Sequence, residues 1–337
     1  MYQQIFMVKA VSSENFPVTF FNHTPVMHLP ARVSVTEGVA FKEKCQQLLE
    51  SSSLPEKIIL DCCQTTFIDS SGIGALARTI KNTQQKGVKL VLRSVTPQVM
   101  TVLELTSLDS VLTFEPLAAT EVTTVSNSEK QLPKTHPSMS CWMKRCFDIG
   151  GSLVGLAITA ILFIPIVIAI KLDSPGPIFF GQTRCGLMAK KFTIWKFRSM
   201  CVDAEAQKSR VTNQAIGAIF KNDNDPRVTK VGRFLRRTSL DELPQFWNVL
   251  KGDMSLVGTR PPTPDEVEYY EVPEWRRLDV KPGMTGEWQV NGRSSIKNFE
   301  DIIKLDLQYQ HSWSLAYDLK LILKTIMILF NKNSGAV

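Results

Sequence analysis

The feature that most constrains the fold of this 337-residue chain is a run of 22 residues without a charge, residues 149–170, IGGSLVGLAITAILFIPIVIAI. About 20 apolar residues are enough to cross the hydrocarbon core of a bilayer as a helix. Pro165 lies within the run, where a proline removes one helical hydrogen bond and bends the chain. The run therefore predicts a membrane helix with a kink.

Cations on both sides leave the direction of this helix open. Lys144 and Arg145 precede the run and Lys171 follows it, so the positive-inside rule favours neither orientation. The domains before and after the run are both expected to be cytosolic. A re-entrant helix, which enters and leaves the membrane through the same face, keeps both of them in the cytosol. We therefore predict a re-entrant helix at about residues 144–171 whose kink is covered by protein; a single span is the alternative. Asp148 is expected to pair with Arg145 or Lys144 at helical spacing.

A second apolar segment, residues 315–330, is interrupted by Asp318, Lys320 and Lys324. This pattern is typical of an amphipathic helix that lies in the membrane interface. A core helix of a soluble domain is an equally good interpretation.

The excess of positive charge lies entirely in the C-terminal part of the chain. The net charge is +7, and residues 141–337 hold 27 Lys and Arg against 20 Asp and Glu. A basic half indicates an anionic partner, such as a nucleic acid, an anionic lipid or a phosphorylated substrate. The seven cysteines contain no Cys-x-x-Cys pair, which predicts reduced cytosolic thiols, and no cleaved signal peptide is expected.

The first 116 residues have the pattern of a small α/β domain. Residues 57–61 and 88–92 are short apolar runs that predict buried strands, and apolar side chains recur at helical spacing after Asp69-Ser-Ser-Gly72. Thr96-Pro97 is expected to open a third helix, because proline suits the first helical position. Residues 117–140 are rich in Ser, Thr, Asn and Pro and predict a linker.

The stretch 67–76, FIDSSGIGAL, followed by GVKLV and VLELTSL, resembles the STAS domain of anti-sigma-factor antagonists over roughly residues 17–116. The resemblance implies an α/β STAS-like fold for domain 1–116. It also implies that Ser70 is a phosphorylation site. The alternative is that Asp69, Ser70 and Ser71 only cap the helix that follows.

Several arginines and a lysine, which are residue types that bind phosphate, precede two adjacent carboxylates, Asp241 and Glu242. Ser239 and Glu242 have the spacing of a capping box, which predicts a helix beginning here. A helix N-terminus attracts phosphate and keeps a nearby carboxylate ionised. An ionised carboxylate beside arginines and a divalent cation can attack phosphorus; a capped helix with solvated charges is the alternative.

Several long motifs occur in order around this pair. They are Lys144-Arg-x-x-Asp148, the apolar run with Pro165, residues 173–180 (DSPGPIFF), 192–200 (FTIWKFRSM), 225–245 (DPRVTKVGRFLRRTSLDELPQ), 258–261 (GTRP), 281–286 (KPGMTG), 288–293 (WQVNGR) and Tyr317-Asp318. Together they resemble the bacterial sugar transferases, which are monotopic phosphoglycosyl transferases that prime exopolysaccharide synthesis. The resemblance implies that residues 141–337 form a membrane-associated α/β, mostly helical, domain with a re-entrant kinked helix. The sequence departs from the family at Ala189, where Gly is common.

The resemblance also implies a reaction and individual roles. Sugar 1-phosphate would pass from a UDP-sugar to a polyprenyl phosphate such as undecaprenyl phosphate, with release of UMP. Asp241 would be the nucleophile that forms a phosphosugar-aspartyl intermediate, and Glu242, with Asp241, would hold Mg²⁺. The matching substrate-binding positions are Arg236, Arg260, Arg293, Lys196 and Asp318. The enzyme would sit on the cytoplasmic membrane with both domains on the cytoplasmic side.

Two other functions are alternatives to the transferase. The first is a STAS-based regulatory or scaffold protein tethered to the membrane by an inactive transferase. A nucleic-acid binder is disfavoured, because the arginines cluster with carboxylates and no recognition helix is evident. The STAS-like domain is also a candidate for forming a homodimer or for docking other glycan-assembly proteins. Nothing in the sequence identifies the sugar.

Overall fold

The structure is a computed structural model that describes residues 16–21, 24–51, 53–115, 135–215, 217, 219–220, 222, 224–291, 296 and 298–330. The chain divides into two compact units. The first comprises Met1–Thr135, Met188–Lys190 and Tyr270–Asp279, and the second comprises His136–Leu187, Lys191–Tyr269 and Val280–Val337. The predicted boundaries at residues 116 and 140 stay a prediction, and the segment 116–134 lies outside the described residues.

The first unit is built on a five-stranded sheet in the order β1-β2-β4-β6-β7. Its first pair is antiparallel and the others are parallel. The strands, together with a separate parallel pair β3-β5, are β1 Val18–Phe21, β2 Thr24–His28, β3 Arg32–Val33, β4 Lys57–Asp61, β5 Phe67–Ile68, β6 Lys89–Arg93 and β7 Thr113–Glu115. Val26, Ile59 and Val91 pack together as a cluster in its core. The predicted strands at 57–61 and 88–92 are thus confirmed as β4 and, shifted by one residue, β6.

Three helices complete the α/β pattern: α1 Val35–Leu49, α2 Ser70–Gln85 and α3 Pro97–Thr106. The Asp69 side chain accepts a hydrogen bond from the Gly72 N–H, so it caps α2 as the sequence predicts. Pro97 occupies the first position of α3, which confirms the prediction from Thr96-Pro97.

The first unit also contains a 3₁₀ helix, Val272–Asp279, which packs on α1 and α2. A Cβ atom built on Gly74 of α2 would lie 2.4 Å from the Cγ atom of Trp275. Only a glycine permits this close approach of the indole ring to the helix backbone. Trp275 is buried as a result.

The second unit is mostly helical. Its helices are α4 Pro137–Ser140, α5 Trp142–Asp173, α6 Lys230–Arg237, α7 Gln245–Lys251, α8 Pro264–Glu268, α9 Glu287–Val290, α10 Phe299–His311 and α11 Leu315–Phe330. Two small sheets accompany them, the antiparallel pair β8 Phe179–Cys185 and β9 Lys191–Phe197 and the parallel pair β10 Ser255–Val257 and β11 Gly283–Thr285.

The predicted membrane helix is α5, a 32-residue helix that continues through Pro165. It is the one helix of the described residues that is long and apolar enough to cross a membrane. One face of α5 packs on the rest of the second unit along the length of the helix. Ile166 and Ile170 form a cluster there with Phe197 and Leu235. The remaining surface exposes large apolar side chains, namely Trp142, Met143, Phe147, Ile149, Leu153, Val154, Ile158, Ile161, Ile164, Ile168 and Leu172.

The predicted pairing of Asp148 with Arg145 or Lys144 is wrong. Asp148 Oδ1 instead accepts hydrogen bonds from Ser255 Oγ and the Leu256 N–H, each at 2.9 Å. Arg145 donates to the carbonyl oxygens of Val249 and Leu250 at 2.7 and 2.6 Å, at the C-terminal end of α7, where a cation is favoured. Arg145 and Asp148 therefore anchor the start of α5 to the rest of the second unit.

Helix α11 exposes a second set of apolar side chains, Leu319, Leu323, Ile326, Met327 and Leu329. Leu321, on the opposite face, is buried with Val257 and Tyr309. Exposed apolar residues on one face favour the interfacial interpretation of this segment over that of a soluble core helix.

Candidate functional site

A cavity of about 1110 Å³ opens in the second unit. Its polar lining includes Lys196, Arg236, Asp241, Glu242 and Arg260. Its apolar lining includes residues of the two helices with exposed apolar faces, namely Gly151, Val154, Gly155 and Ile158 of α5 and Ile322, Ile326 and Leu329 of α11. The cavity can therefore accept a molecule with one charged and one apolar part.

Asp241 lies in a single 3₁₀ turn, Leu240–Glu242, between α6 and α7. A helix does begin after Ser239, as this short 3₁₀ turn, but the predicted capping box is wrong: Ser239 has φ +56° and its side chain makes no capping bond, and α7 begins only at Gln245. A capping box needs an extended cap residue, and the left-handed Ser239 cannot provide one. Asp241 is 5% exposed, so the tight turn holds its carboxylate in a largely dry environment at the cavity wall.

Glu242 and Lys196 form an ion pair across the cavity wall, with Nζ and Oε1 2.9 Å apart. Lys196 stands on β9, and both side chains remain about one quarter exposed. The structure thus brings together two residues that lie 46 positions apart in the sequence. The lysine fixes the orientation of the carboxylate next to Asp241.

Arg236 occupies the last turn of α6. Its Nε donates to Ser199 Oγ at 2.9 Å. Burial lowers the pKa of its guanidinium, and the charge of Asp241 acts in the opposite direction. This hydroxyl is neutral and leaves the positive charge of the partly buried guanidinium for an anion, and the planar fork of arginine suits phosphate.

Arg260 is held by a carboxylate that the sequence did not single out. Glu266 Oε2 and Oε1 accept from the two terminal nitrogens of Arg260 at 2.7 and 3.0 Å. Burial alone would raise the pKa of Glu266, but the charge and hydrogen bonds of Arg260 bring it below its ordinary value. Thr263 and Glu266 form a capping box at the start of α8, and this Thr-x-x-Glu spacing was the signal available in the sequence.

A third arginine, Arg184 on β8, also lines the cavity. It donates to the Pro261 carbonyl oxygen at 2.9 Å and to Gln182 Oε1 at 2.6 Å. Burial and the nearby charge of Arg260 lower its pKa to about 10, so it stays protonated at neutral pH. Together with Arg198 and Arg227, the described residues of the cavity wall therefore include five arginines and two lysines, Lys196 and Lys208.

Asp318 lies in a buried polar network, not among the cavity residues. It accepts from Lys144 Nζ at 2.6 Å, from the Tyr309 hydroxyl at 2.8 Å and from the Trp313 indole at 3.2 Å. This network joins the start of α5 to α10 and α11. A direct part for Asp318 in substrate binding stays a prediction, and Arg293 lies outside the described residues.

The donor set for the predicted Mg²⁺ is Asp241 with Glu242. The described residues contain no group of three or more His, Cys, Asp or Glu that could hold a metal ion. Mg²⁺ is commonly bound by one or two carboxylates together with substrate phosphates and waters. Two adjacent carboxylates on a cavity lined by phosphate-binding residues fit that pattern.

In the first unit, Ser70 is fully buried at the start of α2. Its backbone N–H donates to Asp279 Oδ1 at 3.1 Å. The local geometry is that of a capped helix N-terminus. Phosphorylation of Ser70 stays a prediction.

Comparison with known proteins identifies both parts of the chain. Residues 139–332 match the family described as bacterial sugar transferase, and residues 15–123 match the STAS domain. A solved structure of an anti-sigma factor antagonist from Thermotoga maritima is 22% identical, covers 32% of this chain and 89% of its own, and has a TM-score of 0.28.

Two curated relatives match the C-terminal part. The galactosyl transferase CpsE of Streptococcus agalactiae serotype III is 53% identical over 188 residues, covering 55% of this chain and 42% of the relative. The UDP-glucose:undecaprenyl-phosphate glucose-1-phosphate transferase of Escherichia coli is 44% identical over 191 residues, covering 55% of this chain and 39% of the relative. The chain thus spans about two fifths of the length of these relatives. With a STAS domain at its N-terminal end, the chain belongs to the bacterial sugar transferase family.

Proposed function

We propose that this protein transfers a sugar 1-phosphate from a UDP-sugar to undecaprenyl phosphate or a similar polyprenyl phosphate, the priming step of an exopolysaccharide or related glycan. The observation that carries the proposal is the single cavity that joins Asp241, Glu242 and the arginines to the apolar faces of α5 and α11. A diphosphate needs the charged part and a polyprenyl chain needs the apolar part. The activity named for the Escherichia coli relative supports the same reaction.

In the first step, a carboxylate oxygen of Asp241 attacks the sugar-linked phosphorus of the UDP-sugar. A new O–P bond forms, the bond from that phosphorus to the bridging oxygen breaks, and UMP leaves with the bond electrons. Arg236 and Arg260 bind the phosphate oxygens in this step, since arginine suits such oxygens. Burial of Asp241 strengthens these interactions because little water screens them.

In the second step, a phosphate oxygen of the polyprenyl phosphate attacks the same phosphorus. The bond to Asp241 breaks, which regenerates the carboxylate and leaves a polyprenyl-diphosphate-sugar. Two displacements at one site give ping-pong kinetics, in which UMP is released before the lipid reacts.

Asp241 and Glu242 are the residues that would hold Mg²⁺, which, when bound, would neutralise charge on the phosphates. Lys196 keeps Glu242 oriented toward the cavity and adds a positive charge to the same wall.

The attachment of α5 supports a re-entrant helix on the cytoplasmic membrane. Near its start, Asp148 accepts from Ser255 and Leu256; at its end, Asp173 Oδ2 accepts from the Val231 N–H at 3.0 Å. Ser255 and Leu256 lie shortly before Arg260 in the sequence, and Val231 lies shortly before Arg236. Both arginines belong to the charged wall of the cavity. Since both ends of the helix are fixed to polar parts of one unit, we infer that both ends lie on the same, cytoplasmic, side.

The deciding experiment is release of UMP from UDP-sugars by the full chain in detergent or lipid discs, with undecaprenyl phosphate as acceptor. Asp241→Asn should reduce the rate at least about a thousandfold, as expected for loss of a nucleophile. Asp203→Asn changes an exposed carboxylate outside the cavity and should leave the rate unchanged. Without acceptor, the wild type should release about one UMP per active site as the sugar phosphate becomes attached to Asp241.

The alternative, a regulatory or scaffold protein with an inactive transferase, makes the opposite prediction. It requires no UMP release from any of a panel of UDP-sugars by the wild type. The same panel would identify the sugar, which the lining of the cavity does not specify.

A further inference from the structure

The segment Tyr270–Asp279 lies within the part of the chain that matches the sugar transferase family, yet it belongs to the compact unit formed by the STAS domain. Within that unit it meets the face formed by α1 and α2. The segment approaches this face closely at Gly38 and Gly74: Cβ atoms built on them would lie 3.1 Å from Val272 Cγ1 and 2.4 Å from Trp275 Cγ. We call this face the α1–α2 face.

Two ion pairs fix the start of the segment. Glu271 accepts from Lys42 Nζ of α1 at 2.7 Å and from Arg78 Nη1 of α2 at 2.6 Å. Exposed pairs of this kind add little affinity, and their main effect is on register and orientation. The buried Trp275 has the features of the main anchor, because a large aromatic side chain in a closely fitting site usually carries most of the binding energy.

Two hydrogen bonds fix the end of the segment. Asp279 Oδ1 accepts from the Ser70 N–H at 3.1 Å, and the Asp279 carbonyl oxygen accepts from Thr135 Oγ1 at 2.6 Å. Both ends and the middle of the segment are thus held by the first unit.

The segment is continuous in sequence with the candidate active site. Glu266, which holds Arg260 in a bidentate pair, lies four residues before Tyr270, and β11 begins four residues after Asp279. Fixing ten residues on the α1–α2 face therefore restricts the chain on which Glu266 stands. Restriction of this kind favours a single geometry for a binding residue.

We propose that the α1–α2 face of the STAS domain is a docking surface for the chain's own Tyr270–Asp279 segment, and that docking positions Arg260 through Glu266. The kinetic part of this inference rests on the proposed function, whereas the docking part does not. Glu266 and the α1–α2 face act here as positioning elements, and Arg260 is the group that meets the substrate.

Gly74→Ala is the sharpest variant. The new methyl group would overlap the Trp275 ring, while alanine favours helix more than glycine does, so α2 itself should remain folded. Gln84→Ala, an exposed change on the same helix, is the matched control. Amide hydrogen exchange of residues 270–279 in the full chain should be at least tenfold faster in Gly74→Ala and unchanged in the control.

Kinetics then test the positioning role. Gly74→Ala should raise KM for the UDP-sugar several-fold with a smaller effect on kcat, and Glu266→Gln should produce the same split. Faster exchange with unchanged kinetic constants would overturn the positioning role, and unchanged exchange would overturn the docking surface. If the wild type releases no UMP, the proposed function fails, and the exchange measurement still decides whether the segment docks.

An exchange of charges between Glu271 and Arg78 tests the docking surface without changing Gly74. Glu271→Arg should speed exchange of the segment, and adding Arg78→Glu should restore part of the protection, because the pair is re-formed with its charges reversed. If the double variant recovers no protection, the ion pair between Glu271 and Arg78 does not contribute to docking.

Discussion

The Ser70 N–H donates to Asp279 Oδ1 across 209 positions of sequence, and this contact places the carboxyl groups of Asp69 and Asp279 close enough to influence each other. Burial raises the pKa of Asp69 to about 6. Burial and the charge of Asp69 raise the pKa of Asp279 to about 7. Arg276 favours ionisation of both groups, whereas Glu37 opposes that of Asp69.

The first prediction follows from this acid pair. Both folded-state pKa values lie above the ordinary value of 3.8, so the folded chain binds more protons than the unfolded chain between pH of about 4 and about 7. The stability contributed by the pair should therefore fall as pH rises through that range. Amide exchange of residues 70–76, corrected for intrinsic rates, should show several-fold less protection at pH 8 than at pH 5.5.

Asp279→Asn is the control for this effect. Its side-chain oxygen can still accept from the Ser70 N–H, but the repulsion between two carboxylates is gone. Protection should depend less on pH over the same range, because Asp69, whose pKa is raised by burial, is then the only member of the pair that titrates. A variant that keeps the pH dependence of the wild type would assign it to other groups.

Much of the fold was predictable because its signals are local. The apolar run of β4, the Asp69 cap of α2 and Pro97 at the start of α3 depend on a few neighbouring residues. The position of Val272–Asp279 was not predictable in the same way. Its partners on α1 and α2 are about 200 residues away, and its own sequence has no pattern that indicates them.

The two wrong predictions at the candidate site have the same cause. Helical spacing brings Asp148 near Arg145, but it says nothing about competing partners, and the Leu256 N–H and Ser255 hydroxyl bind the carboxylate instead. Ser239 and Glu242 have capping-box spacing, but the left-handed backbone of Ser239 cannot support it. Glu266 went unnoticed because its importance lies in a contact with Arg260 that only the folded chain displays.

The second prediction concerns Ala189, whose backbone has a positive φ. Ala189 has φ +61°, a left-handed conformation that costs a residue with a Cβ about 1 kcal/mol. Ala189→Gly should relieve this strain and, after the extra entropy of glycine in the unfolded chain, stabilise the protein by roughly 0.5 kcal/mol. A small rise in Tm in the full chain would agree, and a clear fall would contradict it.

The third prediction concerns the buried pair of Lys144 and Asp318, whose side chains are 10% and 9% exposed. Lys144→Met leaves Asp318 without its cation and should cost about 3 kcal/mol of unfolding free energy. Lys144→Met with Asp318→Leu removes both charges and should recover part of that loss, because Tyr309 and Trp313 then lose their acceptor. Urea or thermal unfolding in detergent measures both, and equal destabilisation by the single and double variants would show that the unpaired charge of Asp318 is not the source of the loss.

The fourth prediction tests the exposed face of α5. Ile161 is 77% exposed, near the middle of the apolar run. Ile161→Lys should weaken membrane association by about 3 kcal/mol if this position enters the hydrocarbon core. Ile161→Leu is the size-matched control. The fraction of protein that floats with lipid vesicles reports the difference, and equal flotation of the two variants would place Ile161 outside the bilayer.

The fifth prediction tests on which side of the membrane the two units lie. Cys63 in the STAS domain is exposed, whereas burial raises the pKa of Cys45, Cys62 and Cys185 to about 12, 12 and 11 and keeps these thiols unreactive. Cys201, in the second unit, is partly exposed. With a re-entrant α5, a membrane-impermeant maleimide added to spheroplasts should label neither Cys63 nor Cys201 until the membrane is opened. Labelling of one of them in sealed cells would mean that α5 crosses the bilayer, because a spanning helix separates the chain before it from the chain after it.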